Sequence, residues 1–392
     1  MPRAPAVSET CRTLSHDVYS SLLARARSRP GPMYPLHVGD TYREPWPGLR
    51  PESLPPTSRL YNYAPVRGEP TLLEAIRERT RRDYDLELPS ESVQVTIGAT
   101  GGLSVAAQTV LDPGDEVIVL APYWPLIRGI VAARGARAVE LPFFDRIGDR
   151  TFDPERALEE AVSERTAALY VNTPNNPTGH VLDAGALEVL VRFARKHDLW
   201  LWSDEAYAAL AFGPLPLPLW RRAPERSLAF CTASKSYGVA GARVGWVHGP
   251  EAVMRAISGV QTFSTYCAPR PLQRGVAQAL LHAGEWLDSA RQAYRLAAGA
   301  AAESLGLPPP SGGTFLFFDV SATPAGRDGI ERFLERAMEA GVLLTPGAAC
   351  GQAYESWARL CYSAIPPDEL DDALLRLAPL VSGGAQLGLP ER

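Results

Sequence analysis

Six short apolar runs constrain this chain more than any other feature. They lie at residues 93–97, 116–120, 166–171, 199–202, 228–231 and 244–248, and they are rich in Val, Ile, Leu and aromatic residues. The clearest of them, Glu116-Val117-Ile118-Val119-Leu120, is continuous rather than alternating and is bounded by Pro113-Gly114 and Pro122. Continuous runs of strand length are expected where both faces of a strand are covered, as in a parallel sheet between helices. Helical stretches such as 186–196 separate several of the runs. Strand, crossover, strand predicts an α/β fold built on a mostly parallel sheet.

The pattern changes after about residue 285. A long helix (286–305), a strand (314–320), a helix (330–340), a short strand and a final helix (368–377) predict a smaller α+β domain. Residues 28–59 are dense in Pro and Gly and are expected to form an extended arm with little regular structure. Pro70 suits a first helical turn, with Leu72, Leu73 and Ile76 inward and Arg77, Arg79 and Arg81 outward. The expected division is residues 1–45 as arm and part of the small domain, 46–285 as the large domain, and 286–392 as the small one.

With 392 residues and 46% hydrophobic content, there is enough material for one large and one smaller core. A net charge of −5 and the lack of a basic stripe argue against nucleic acid as a partner. No apolar run reaches membrane-spanning length, so no membrane partner is expected. The first 14 residues lack the apolar centre of a secretory signal. Five scattered cysteines without a CxxC pair suggest reduced thiols in a cytoplasm. The six histidines never fall at ligand spacing, so no metal is expected, and no GxSxG occurs.

The basic residues number 39, and only Lys196 and Lys235 are lysines. Guanidinium cannot serve as nucleophile or base near neutral pH, whereas a desolvated ε-amine can form a Schiff base. Lys196 sits in a charged helix end and reads as surface. Lys235 sits in Thr232-Ala233-Ser234-Lys235-Ser236, with Arg243 eight residues later. Ligands of open α/β sheets bind at the carboxyl ends of the strands, so the loops there bear on function. Gly98-Ala99-Thr100-Gly101-Gly102 precedes a helix and offers backbone amides to an anion. Pro122-Tyr123-Trp124-Pro125 brings an aromatic face, or simply core packing. Asn172-Thr173-Pro174-Asn175-Asn176-Pro177-Thr178-Gly179 is a stiff loop that can aim an amide. Asp204-Glu205-Ala206-Tyr207 sets a carboxylate behind an apolar run, where it needs a positive partner unless it merely caps a helix.

Together these parts suit a phosphorylated pyridine aldehyde, and the chain resembles the class I/II, fold-type I aminotransferases that use pyridoxal 5′-phosphate. The resemblance runs from Gly39-Asp40 to the last helix. It implies that Lys235 forms the Schiff base, an internal aldimine, and shuttles the Cα proton in ping-pong chemistry. It implies that Asp204 faces the pyridine nitrogen, Asn176 and Tyr207 the 3′-oxygen, and Trp124 the ring face. The phosphate would fall to Ala99, Thr100, Thr232, Ser234 and Arg243, joined by Tyr63 from the second subunit of a homodimer. Arg359, in Arg359-Leu360-Cys361-Tyr362-Ser363, would take the substrate carboxylate, with Gly39 and Asn176 beside it. The expected activity is transamination between an α-amino acid and a 2-oxo acid. The alternative is a lyase, cyclase or oxidase at the same site. A cofactor-sensing domain of a transcription regulator is disfavoured because no helix-turn-helix pattern precedes the arm. Thr100 points away from a strongly acidic substrate side chain. Arg270 is either an acid-binding residue or surface, and Tyr42 and Trp46 either line a pocket or pack.

Overall fold

The structure, a computed structural model, describes residues 6–12, 14, 31–53 and 58–382. Seven strands form the main sheet: β1 (Val93–Ile97), β2 (Glu116–Ala121), β3 (Arg137–Pro142), β4 (Thr166–Asn172), β5 (Trp200–Asp204), β6 (Ser227–Thr232) and β7 (Val244–His248). Their order is β1-β7-β6-β5-β4-β2-β3. The block from β6 to β3 is parallel, and β7 runs antiparallel to both its neighbours. The mostly parallel sheet expected from the apolar runs is therefore present. Every residue of β2 is buried. Separate apolar clusters cover the two faces, one holding Leu103, Val119, Trp202 and Phe230, the other Ile118, Leu120, Leu169 and Leu190. Burial of each such side chain contributes about 1.5–3 kcal/mol.

Three further strands, β8 (Phe315–Asp319), β9 (Thr345–Pro346) and β10 (Trp357–Cys361), form an antiparallel sheet in the order β8-β10-β9. The helices Gly284–Leu305, Ile330–Glu339 and Pro367–Val381 share a core with it. Tyr34 and Leu36 of the arm lie in the same core, and Tyr34 bridges to Val342. Within residues 31–53 the only helical segments are two short 3-10 turns, Pro47–Leu49 and Pro51–Ser53. Residues 1–5, 13, 15–30, 54–57 and 383–392 lie outside the described set, so the expectations that fall on them are not addressed.

One strand was not anticipated, and two expectations need correction. The strand β3 is an edge strand of half-buried residues, with Arg137 and Glu140 interrupting any apolar run, so no continuous signal announces it. Residues 98–102 are not a loop before a helix but the first turn of the helix Gly98–Val110. In the helix Pro70–Tyr84, Leu72 and Ile76 are buried as expected, but Arg79 turns inward. Its guanidinium bonds the Tyr237 hydroxyl at 3.1 Å and pairs with Asp83.

Candidate active site

The carboxyl ends of β4, β5 and β6 converge on a cavity of about 140 Å³. Ala99, Thr100, Trp124, Asn176, Asp204 and Tyr207 line it, as do Thr232, Ser234, Lys235 and Arg243. These ten residues come from five separate stretches of chain. Gly39 and Arg359 meet the same site from the small-domain side. The Lys235 amine donates to the Gly39 carbonyl, and Arg359 Nη1 donates to Asn176 Oδ1 at 2.9 Å. Tyr63 does not reach the cavity within its own chain: it is 81% exposed and stacks edge-on against Tyr266.

Each group is held by its local structure. Asp204 ends β5, and its carboxylate accepts from the Tyr170 hydroxyl at 2.6 Å and from the Ala206 amide at 3.1 Å. Burial pushes its carboxyl up to about 6, against the pull of those two donors. Asn172 donates to the Asp204 main-chain oxygen at 3.1 Å and accepts from the Asn176 amide at 2.7 Å, tying the two loops together. Gly179 closes the Asn176 loop at φ +68, where a Cβ would lie 2.7 Å from the Gly312 carbonyl oxygen. Lys235 sits in the one-turn helix Ala233–Ser236, capped by the Thr232 hydroxyl, which accepts from the Ser234 amide at 3.1 Å. Burial holds the Lys235 amine below the usual lysine range; Arg359 and Arg243 add to this while Asp40 and Cys361 oppose it.

At the other end of the cavity, Gly98 has φ +66 and its missing Cβ would lie 2.7 Å from Arg243 Nη2. A side chain there would displace the guanidinium from the start of the helix. A Cβ on Gly245 would meet the Ala99 nitrogen at 2.7 Å. The result is a cradle of two main-chain amides, two hydroxyls and a guanidinium at a helix N-terminus, the donor set that suits a phosphate. A desolvated amine and a buried carboxylate stand beyond it, with Trp124 alongside. These residues fit pyridoxal phosphate: an anion in the cradle, an aldehyde for the amine, and a ring nitrogen for the carboxylate.

Arg359 is 2% exposed on β10. Its Nη2 donates to the His37 carbonyl and to the Thr345 hydroxyl, both at 3.2 Å, and its carbon lies 4.5 Å from the centre of the Phe315 ring. Its Nε is buried without a partner among the described residues. Arg270 is elsewhere, paired with the buried Glu69 at 2.8 Å. Tyr42 and Trp46 pack against core clusters and do not line the cavity. Lys196 pairs with Glu159 at the surface. Asn172, Leu103, Ala206 and Ala240 also line the cavity, and no role was expected of them. For Asn172 the available signal was its place at the carboxyl end of β4, where ligands of open α/β sheets bind.

A larger cavity of about 260 Å³ lies beside Glu205, Arg79 and Arg291, and contains neither Lys235 nor Asp204. Among the described residues no cluster could hold a metal ion, and no helix is long and apolar enough to cross a membrane.

Residues 55–377 match the family model for aminotransferases of class I and II. The chain is 38% identical to the aspartate/prephenate aminotransferase of Thermus thermophilus over 307 residues, which cover 76% of this chain and 78% of that protein. It is 34% identical to an arginine–pyruvate transaminase of Pseudomonas aeruginosa, over 76% and 77% of the two chains. Its fold is similar to that of the Thermus thermophilus aspartate aminotransferase solved with maleate. The TM-score there is 0.86 at 31% identity, covering 96% of this chain and all of that one.

Proposed function

The chain belongs to the class I and II aminotransferases, which use pyridoxal phosphate, and from that premise we propose how its own residues divide the transfer of an amino group. Lys235 carries the cofactor and moves the Cα proton. Its lowered pKa supports this, because a neutral amine is needed both to attack and to accept a proton. Asp204 holds a proton at the ring nitrogen by presenting a buried negative charge. Asn176 and Tyr207 orient the ring through its 3′-oxygen, and Trp124 covers its face. The amides of Ala99 and Thr100, the hydroxyls of Thr232 and Ser234, and Arg243 bind the phosphate.

When bound, the cofactor supplies an electrophilic carbonyl and a sink for the electron pair left at Cα. Arg359 grips the α-carboxylate of the amino acid or oxo acid, with Gly39 and Asn176 beside it. Two parallel hydrogen bonds fix the carboxylate, which disfavours its loss and leaves the Cα proton as the group removed by Lys235.

Substrates with neutral or aromatic side chains suit this cavity better than strongly acidic ones. The cations around it within this chain are Lys235, Arg243 and Arg359, each already given a task, and Arg270 is spent on Glu69. We place the division between the large and small domains near residues 46 and 285. The enzyme works as a homodimer in which Tyr63 reaches the partner's phosphate, and its five unpaired cysteines suit a cytoplasm.

The convergence of Lys235, Asp204 and Arg243 on one cavity is the observation that carries this reading. Borohydride reduction of the holoenzyme followed by peptide mapping should put the pyridoxyl mass on Lys235. A label on Lys196, or none, overturns the assignment.

A further inference from the structure

The carboxylate of Asp204 receives two hydrogen bonds, and only one comes from a side chain. Tyr170 and Asp204 stand on adjacent parallel strands, in the register Tyr170↔Trp202 and Asn172↔Asp204. The Tyr170 side chain therefore reaches forward along β4 to meet the end of β5. Its ring is buried in the sheet core at 1% exposure, and its hydroxyl lies 2.6 Å from Asp204 Oδ2. A phenylalanine would fill the same volume without placing a donor there.

Apart from the Ala206 amide, the other groups around Asp204 do not stabilise its charge. From β6 comes the Cys231 thiol, which burial pushes well above its usual value and so keeps neutral. From its own loop come Glu205, a second carboxyl raised to about 7 by burial, and Tyr207, raised likewise by burial. Asn172 gives its amide to the Asp204 main chain rather than to the carboxylate. Lys235 and Arg243 share the cavity, but neither bonds Asp204. The Ala206 amide donates to the other oxygen, Oδ1, at 3.1 Å.

We propose that Tyr170 is a positioning residue for the transfer, whose hydroxyl holds Asp204 as an anion aimed at the cofactor's ring nitrogen so that the ring keeps the proton. The inference rests on the role proposed above for Asp204. A desolvated carboxylate without a cation from its own chain competes with a pyridine for one proton. A hydroxyl bonded to the anion weakens the carboxylate as a base and moves that proton toward the ring. The Tyr170 hydroxyl is itself held well above the usual phenol range, first by burial and then by Asp204, so it stays a donor throughout the working pH range. Without it, the proton passes from ring nitrogen to carboxylate, both become neutral, and the ring withdraws electrons less strongly.

The test is Tyr170→Phe, prepared as holoenzyme with pyridoxal phosphate labelled with nitrogen-15 in the ring. The expected result is a kcat lowered roughly 10- to 100-fold, as for a lost hydrogen bond to a charge, with the KM for the amino donor nearly unchanged. The ring nitrogen resonance should shift toward the unprotonated position. In an Asp204→Asn background the same substitution should cost nothing further, because its partner is already gone. A wild-type kcat together with a wild-type resonance would reduce Tyr170 to core filling. An additional loss in the Asp204→Asn background would show that it acts elsewhere. Should Tyr170→Phe not fold, the wild type still decides: a ring nitrogen unprotonated at about pH 8 overturns the proposal. If Asp204→Asn alone retains normal turnover, the role given to Asp204 fails, an outcome separate from a failure of Tyr170.

Discussion

Replacing Arg359 with lysine isolates the fork of the guanidinium from its charge. Arg359 spends its present hydrogen bonds on neutral oxygens, those of Asn176, His37 and Thr345. Lysine keeps the positive charge in the same buried place but offers a single nitrogen, which cannot give a carboxylate two parallel bonds. A hydrogen bond between charged groups contributes about 1.5–3 kcal/mol, so losing one of the pair should raise KM about 10- to 150-fold. The amino acid and the oxo acid present the same carboxylate, so both Michaelis constants should rise together. The neutral bonds lost with the guanidinium are each worth about 1 kcal/mol, a small loss of stability that a thermal melt would register as a few degrees. Steady-state kinetics over a matrix of both substrates measures the effect. Unchanged KM values for both, with the protein folded, would refute the idea that Arg359 binds the α-carboxylate.

Two other outcomes follow from the same geometry. Tyr63→Ala mixed with Lys235→Ala should recover activity that neither variant has alone, because a mixed dimer holds one site with both residues intact. The exposed aromatic surface of Tyr61, Tyr63 and Phe263 motivates this, and a fully active monomer in sedimentation would contradict it. In the cofactor-free protein, a folded Asp204 raised to about 6 from 3.8 binds its proton more tightly than the unfolded chain does. Its contribution to stability is therefore greatest at low pH and is lost as pH rises through that window, by about 3 kcal/mol relative to Asp204→Asn. Urea denaturation of both proteins across about pH 4 to 7 measures the difference, and parallel profiles would contradict the shift.

Most of the residues that line the candidate cavity were legible because their types stand out from their local surroundings in the sequence. A lone lysine among small and hydroxyl residues, or an aspartate two residues behind the apolar Leu201-Trp202, stands out whatever the tertiary structure does. What stayed hidden depended on register or on edges. The β10 strand is interrupted by Arg359 itself, so a charged residue masks the apolar pattern that would have announced it. The first turn of the helix Gly98–Val110 is hidden by glycines that a local reading assigns to a turn. Arg79 looked outward from helical spacing alone, but Tyr237, more than 150 positions away in sequence, supplies the acceptor that draws it in. The contact of Tyr170 with Asp204 exists only because β4 and β5 lie side by side in parallel. No local pattern in β4 carries that information.

Charge separates the active site from the larger cavity better than volume does. In the 260 Å³ cavity the cations are already matched within the chain, Arg79 by Asp83 and Arg291 by Asp288 at 2.8 Å. In the 140 Å³ cavity, and at Arg359 beside it, they are not. Arg359 bonds neutral oxygens, Arg243 bonds the Ala240 carbonyl at 2.8 Å, Lys235 bonds the Gly39 carbonyl, and Asp204 draws on a phenol and an amide. Burying a charge without a counter-charge costs several kcal/mol, a cost that folding alone would remove by substituting neutral residues. In the proposed division of roles, a protonated ring nitrogen would complete the balance for Asp204, a phosphate for Arg243 and a carboxylate for Arg359. Each would be carried by the cofactor or the substrate, so on that proposal the imbalance in the protein becomes binding energy when they arrive. Burial of the same cavity also lowers the pKa of the Lys235 amine, with Arg359 and Arg243 adding to it, so the desolvation that strains the fold favours the form of the amine that reacts.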